Sequence, residues 1–433
     1  MLESTKRRTR HLRRWVGLLM AVTVLGLTSG ACARVQSHFA LPDLAMGDPA
    51  FGPTIEAYTA TRVAGGNRVD LLLNGDEIFP AILEAIGSAR STITYAQYFY
   101  EEGEMPRQIA AALADRCRSG IRAHILLDGF GALLMPAEYR EMMTSAGCEV
   151  TTFRPLSPLV LLSPFGLGRE NNRSHRRILV VDGRVGFTGG VGVSPKWLGN
   201  GRSKGLWRQT DVRIEGPVVA SLQGAFVENW LEATGNVLGG AAYFPHPGPR
   251  GSVTAQVVHS SPAEGSFSMY TMFLLAMSSA RHSIYITNPY FLPDSRMTRA
   301  LTEASRRGVR VALLLPGAID NKIVRHASRA GFGELFEAGI EVYEYQAGLL
   351  HAKTMVIDGA WATIGSTNLD TRSFALNEEV NLVVYGHDVA LRLERIFADD
   401  LVYARRIDPQ TWGARGVADR VLEVLSLPIR REF

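Results

Sequence analysis

His175 stands two residues before Arg177 and seven before Asp182, and His351 stands two before Lys353 and seven before Asp358. Imidazole is the side chain that attacks or exchanges a proton near neutral pH, and a fixed cation beside it suits a substrate carrying negative charge. Residues i and i+2 of an extended strand point the same way, so each pair presents ring and cation together. One such pair is more often a surface or satisfied-core histidine than a catalytic one. Two copies at the same point of a repeated pattern indicate instead two half-sites that grip one anion from both sides. Each copy continues into a hairpin pattern, "ILVVDGRVGFTGG" and "TMVIDGAWATIGS". This puts Asp182 and Asp358 at turns, where a structural role is at least as available as a catalytic one.

The elements that must carry these residues also repeat. "RVDLLL", "STITYAQYFY" and "IRAHILLDG" read as strands separated by the helical "DEIFPAILEAIGSAR" and "PRQIAAALADRCRSG". The helix "FSMYTMFLLAMSSAR", the strand "HSIYITNPYF", the helix "SRMTRALTEASRRG" and the strand "VRVALLLPG" return in the same order. The chain therefore reads as an α/β protein built by tandem duplication, with a mixed sheet flanked by helices and a pseudo-two-fold that sets the active site between the halves. The predicted divisions are an N-terminal segment 1–33, a Pro- and Gly-containing leader 34–67, a first unit 68–238, a junction 239–252 ("GGAAYFPHPGPRGS"), a second unit 253–406 and a tail 407–433. In the tail, "GVADRVLEVLSLPIRREF" has the pattern of a short amphipathic helix with Val417, Val421, Leu422 and Leu425 on one face.

These motifs resemble the phospholipase D superfamily, whose signature is HxK, four residues, D, then GSxN or GGxN. The second copy matches throughout, with His351, Lys353, Asp358, Gly365, Ser366 and Asn368. The first has His175, Asp182, Gly189 and Gly190 but carries Arg177 for Lys and Gly192 for Asn. The resemblance spans Arg68 to about Arg406, and "NGDEIFPAILEAI", "ILLDGFG", "FTGGVGVS" and "IEGPVV" are most similar to bacterial cardiolipin synthases. It implies a phospholipase D-type sandwich and an enzyme needing no metal or other cofactor. Its chemistry splits a phosphodiester exchange into two steps: one imidazole attacks phosphorus, and the other gives a proton to the leaving oxygen and then takes one from the incoming hydroxyl. The resemblance assigns His175 as nucleophile and His351 as acid and base, with the reverse left open by the near symmetry. Lys353 and Arg177 stabilise the phosphate charge, as do Ser366, Asn368 and the Gly190 backbone. Glu379 is the implied carboxylate partner of a histidine. Aligning "DVRIEG" with "EVNLVV" sets Asp211 opposite Glu379 and Gln209 opposite Asn377, so Asp211 is either the counterpart of Glu379 or a strand residue. Asn288 and Tyr290 either edge the site or pack a strand end.

The substrate class rests on the remaining sequence. A hydrophobic content of 46% excludes a disordered chain, and a net charge of +4 favours anionic partners, nucleic acid and phospholipid alike. "RPLSPLVLLSPFGLGRENNR", just before His175, is apolar in its middle and lacks the basic and aromatic interleaving of a nucleic-acid groove. "KRRTRHLRR", "WVGLLMAVTVLGL" and "TSGACA" follow the order of an export signal, with three outcomes open: lipidation at Cys32, cleavage, or an uncleaved anchor. The expected location is the exported, membrane-associated side of a bacterial cell. The expected partners are phospholipid, phosphatidylglycerol first, and the membrane surface, with no nucleic acid. Phosphatidyl transfer to make cardiolipin is the leading activity; hydrolysis to phosphatidic acid, a catalytically impaired lipid binder and a nuclease are the alternatives. Cys117 and Cys148 are either a disulfide or two buried thiols.

Overall fold

Runs such as "RAHILLD" and "RVALLLP" are buried at every position after the first, which requires cover on both sheet faces. The computed structural model describes residues 41–156, 171–262, 265–319 and 322–426, and supplies that cover with helices. The first half contains strands β1 (Ala64–Leu73), β2 (Thr92–Gln97), β3 (Arg122–Asp128), β4 (Glu149–Phe153), β5 (Ile178–Val181), β6 (Val185–Thr188) and β7 (Thr210–Glu215). The second contains β8 (Val253–Ser260), β9 (Ser283–Thr287), β10 (Arg310–Pro316), β11 (Glu341–Tyr345), β12 (Thr354–Ile357), β13 (Trp361–Gly365), β14 (Glu379–Tyr385) and β15 (Ala404–Arg406).

All of these form one 15-stranded sheet. Outward from the central antiparallel pair β1 and β8, one wing runs β7, β6, β5, β2, β3, β4; the other runs β14, β13, β12, β9, β10, β11, with β15 at its edge. The orders match strand for strand, so the duplication read in the sequence is a pseudo-dyad through the sheet centre, where Asn67 faces Val253. The strands β2, β3 and β4, like β9, β10 and β11, are parallel and joined by helices, among them Glu104–Arg118 and Ser295–Arg306, while the inner strands and the edge strand β15 pair antiparallel.

One apolar cluster crosses the dyad, joining Val212, Ile214, Phe226 and Trp230 to Val257, Ile364, Leu382 and Leu393. Truncating Phe226, fully buried there, to alanine costs about 3–5 kcal/mol by the usual cavity relation. The halves thus share a core, and the described residues from Asp43 onward form a single compact unit.

Two features differ from the sequence reading. Phe51–Thr59, inside the expected leader, is a helix whose Phe51 and Ile55 are buried, four residues apart on one face. A nine-residue helix with two anchoring side chains is too short for its periodicity to stand out. The strands of the two motifs begin only at Ile178 and Thr354, so His175 and His351 lie in extended chain just upstream. Cys117 and Cys148 are joined as a disulfide between the helix Glu104–Arg118 and the start of β4. The export-like segment, with Cys32, and residues 157–170 of the apolar loop lie outside the described residues.

Candidate active site

Each histidine segment leaves its own sheet edge and pairs with the opposite half. The N–H of His175 donates to the Glu378 carbonyl (2.9 Å), and the N–H of His351 donates to the Arg208 carbonyl (2.8 Å). Both segments run parallel to their partners, Ser174 bridging Glu378 and Leu350 pairing Arg208. Because each histidine is held from across the dyad, the two imidazoles meet in one buried cluster, where Gly190 of the first half approaches Lys353 of the second. They are 6% and 4% exposed, Arg177 and Lys353 still less, so any anion bound there is largely stripped of water.

On His175, Nδ1 lies 3.1 Å from both oxygens of Glu379, and Arg177 Nη2 lies 3.2 Å from Nε2. A guanidinium only donates and a carboxylate only accepts. Nδ1 therefore carries the proton and Nε2 a lone pair, the tautomer a nucleophile needs. Ser366 Oγ donates to Glu379 and also receives the Val380 N–H (3.0 Å), which fixes the carboxylate. On His351, Lys353 Nζ sits 3.0 Å from Nδ1 and 3.1 Å from Nε2.

Burial first, then Arg177 and Lys353, holds the His175 imidazole well below its ordinary range. For His351 the causes are burial, Lys353, Arg177 and His175 in that order. Each ring thus senses the other half's cation, and His351 senses His175 itself. Burial raises Glu379 to about 7 and Asp211 to about 6. Both imidazoles are thereby biased toward the neutral form.

The two departures in the first motif have structural accounts. Arg177 repeats the contacts of Lys353: Nη1 donates to the His175 carbonyl (3.1 Å) as Lys353 Nζ donates to that of His351 (2.8 Å), and each cation also reaches its own ring. The Arg177 Nε has no partner among the described residues, so the guanidinium keeps one buried donor unused by the protein. At Gly192 a Cβ would lie 2.7 Å from the ring of Trp197, so the indole fills the place where the motif expects an Asn side chain.

Of the other predicted residues, Ser366 and Glu379 join the His175 shell directly. Asp211, buried, accepts from the Gly190 N–H (2.9 Å) and from Gln209 Nε2 (2.6 Å). Asn368 is buried, and its Oδ1 has no partner among the described residues. Asn288 acts on the loop instead, accepting from the Leu369 N–H (3.2 Å) and donating to the Thr367 carbonyl (3.4 Å). Asp182 and Asp358 stay apart from the pocket, at the far ends of β5 and β12. Asp182 receives the N–H groups of Arg90, Ser91 and Thr92, and Asp358 those of Arg281, His282 and Ser283. Asp182 (φ 52°) and Gly183 (φ 60°), like Asp358 (53°) and Gly359 (59°), take the left-handed conformation within a tight hairpin turn. They pin hairpin to strand, the structural one of the two roles the sequence left open.

Three aromatic walls were missed. Tyr98 meets the His175 ring edge-on at 4.9 Å, and Trp207 and Trp197 approach the His351 ring at 4.9 and 5.3 Å. Tyr98 had a signal, since "YAQYF" repeats as "ITNPYF" and Tyr290 stands 6.4 Å from His351. The tryptophans come from a segment without a repeat.

Two histidine–cation pairs from duplicated halves, converging on one buried pocket, define a phospholipase D-type enzyme. Residues 273–401 match the family model described as cardiolipin synthase, PLD-like domain. The cardiolipin synthase of Geobacillus kaustophilus (strain HTA426) is 36% identical over 366 residues, 84% of this chain and 72% of its own. Cardiolipin synthase 1 of Bacillus anthracis is 34% identical over 379 residues, 85% and 73% of the two chains. The phosphatidylserine synthase of Haemophilus influenzae Rd KW20, 12% identical, superposes over 88% of this chain and 99% of its own with a TM-score of 0.66, a likeness of fold alone. The chain belongs to the cardiolipin synthase family of the phospholipase D superfamily.

Proposed function

We propose that the enzyme transfers a phosphatidyl group between phospholipids through a covalent histidine intermediate, with phosphatidylglycerol as donor and acceptor. The observation that carries this reading is the His175 tautomer. Nδ1–H is held by Glu379, and the Nε2 lone pair faces the pocket under Arg177. Nε2 attacks phosphorus, the bond to the leaving glycerol oxygen breaks, and His351, protonated once the phosphate is bound, gives that oxygen its proton. Glycerol departs. Neutral His351 then takes the proton of a hydroxyl on a second phosphatidylglycerol; that oxygen bonds to phosphorus, the N–P bond breaks, and cardiolipin leaves with His175 regenerated. Arg177, Lys353 and the donors around Gly190 and Asn368 offset the charge on the non-bridging oxygens. Water in place of the second lipid gives phosphatidic acid instead.

A lipid substrate is supported by the surface next to His175. Phe130, Leu133, Leu134 and Leu156 are 42–65% exposed, an apolar group uncommon on a freely soluble face. Beside them lies a hollow of about 360 Å³ lined by Ala132, Leu133, Met135, Pro136, Leu156 and the cationic Arg140. Asp128 links this surface to the site, accepting the N–H groups of Phe130 (2.8 Å), Gly131 (3.0 Å) and Ser174 (3.0 Å). We place the enzyme at the exported face of the membrane, a location supported by the N-terminal export pattern and the Cys117–Cys148 disulfide. No helix among the described residues is long and apolar enough to cross a membrane.

The test is incubation with phosphatidylglycerol vesicles, resolution of the lipids by mass, and acid-free mapping of modified peptides. Cardiolipin with equimolar glycerol, and a phosphatidyl adduct on the peptide bearing His175, are expected. An adduct on the His351 peptide would reverse the assignment, and absence of both cardiolipin and phosphatidic acid would reject the reading.

A further inference from the structure

The alignment that set Asp211 opposite Glu379 does not survive the strand register. In the sheet Gly189 is followed by Gly190 and Gly365 by Ser366. Thr188 pairs Val212 and Gly365 pairs Asn381, so the residue facing Gly189, Asp211, is the counterpart of Asn381. Two residues upstream, Gln209 then corresponds to Glu379. The backbone says the same: Glu378 receives the His175 N–H and Arg208 receives the His351 N–H, and the next residue in each strand is Glu379 or Gln209.

The side chains follow the register. The backbone of Ser366 lies beside the His175 ring, and that of Gly190 lies beside the His351 ring. A Cβ at Gly190 would lie 2.9 and 3.0 Å from the two amide atoms of Gln209, as Ser366 Oγ reaches Glu379 in the other half. Gln209 is wholly buried. Its Nε2 donates to Asp211 Oδ1 (2.6 Å) and the Thr210 carbonyl (2.9 Å), while its Oε1 has no partner among the described residues. A buried acceptor left without a donor is costly, and here it lies at the place from which a carboxylate serves the other histidine.

We infer that Gln209 positions His351 through its side-chain oxygen, in the place where Glu379 holds His175, so that the two half-sites carry unlike partners: a carboxylate for one imidazole, an amide for the other. The inference rests on the proposed chemistry for its kinetic consequence, and on the strand register and the unpartnered oxygen for the placement of Gln209. An amide orients a ring without attracting its proton. The groups facing His351 are then Lys353, Arg177 and His175, with Tyr290 and Asp211 close by and Glu379 engaged by His175. His351 is left the readier proton donor of the two, while His175, backed by a carboxylate, is the better host for a phosphorus bond that makes the ring cationic.

The contact is tested in the full chain, ¹⁵N-labelled at histidine, by following the His351 ring nitrogens of the native protein, Q209L, Q209E and Q209E/D211N with pH. The double variant removes the like-charge repulsion that Q209E alone brings beside Asp211. The carboxylate variants are expected to raise the pH at which His351 titrates by about one unit or more, as an opposite charge in contact does. Q209L is expected to lose the single tautomer. In cardiolipin formation, Q209L should lower kcat roughly 10–100-fold with KM unchanged, and should add nothing in an H351A background. Ring signals of His351 that are the same in all four proteins overturn the inference. Altered ring signals in a protein that never makes cardiolipin or phosphatidic acid would instead uphold the contact and overturn the proposed function.

Discussion

Replacing Glu379 by glutamine separates the electrostatic task of this residue from its packing. The carboxylate touches His175 Nδ1 at 3.1 Å through both oxygens and is wholly buried, so Glu379→Gln changes one atom and one charge in a fixed cage. A hydrogen bond to a charged group contributes about 1.5–3 kcal/mol, and here that stabilisation is largest when the ring becomes cationic on bonding phosphorus. Loss of that amount corresponds to a fall in kcat of roughly 10–150-fold. Stability should move the other way. Burial raises Glu379 from 4.5 to about 7. A group raised on folding stabilises the fold below its unfolded value, and that contribution is lost as pH climbs through the folded one. At pH 8 the native chain bears the full cost of a buried charge, on the order of 3 kcal/mol at about 1.4 kcal/mol per pKa unit. E379Q escapes it. The variant should therefore melt at or above the native temperature at pH 8 and lose that advantage at pH 5, while cardiolipin formation from phosphatidylglycerol vesicles is depressed at pH 8 and approaches native at pH 5, where the native carboxyl is itself protonated. Activity within twofold of native at pH 8, or a Tm that falls at pH 8 along with activity, would refute the reasoning.

Asp182→Ala removes the acceptor for three backbone N–H groups and leaves a non-glycine, non-Asx residue at positive φ; unfolding by urea should show a loss of about 2–4 kcal/mol, with kcat per folded molecule near native. Reducing the Cys117–Cys148 bridge, which closes a separation of 31 residues, should cost about 3–4 kcal/mol by loop entropy, read as a lower Tm in dithiothreitol that a C117S/C148S variant no longer shows. Asp370 caps the helix Thr371–Ala375 through the Ser373 N–H (2.7 Å), and burial raises it to about 7. Asparagine keeps the cap, so the Tm of D370N should gain on the native chain as pH rises from 5 to 8, the window in which the native carboxyl loses its proton.

The sequence legibly carried the pieces that depend on local pattern. The duplication, the strands "IRAHILLDG" and "VRVALLLPG", the Asp-Gly hairpins and the histidine–cation pairs all follow from spacing a few residues long, where side-chain direction is set by the strand period or the turn. Even the departures were visible as letters, Arg177 for Lys and Gly192 for Asn, though their meaning was not. That Gly192 makes room for Trp197 required knowing which ring lies over it.

What only the tertiary structure decided is which half serves which histidine. The chain gives no local sign that His175 is held by Glu379, 204 positions away, or that the register sets Gln209 and not Asp211 opposite that carboxylate. A shift of two residues along a strand preserves the face and so leaves the hydrophobic pattern unchanged. The pairing of β13 with β14 and of β6 with β7 fixes it instead, through backbone hydrogen bonds that sequence periodicity does not encode. The letters determined that two half-sites exist; the crossing of the dyad determined that they are unlike.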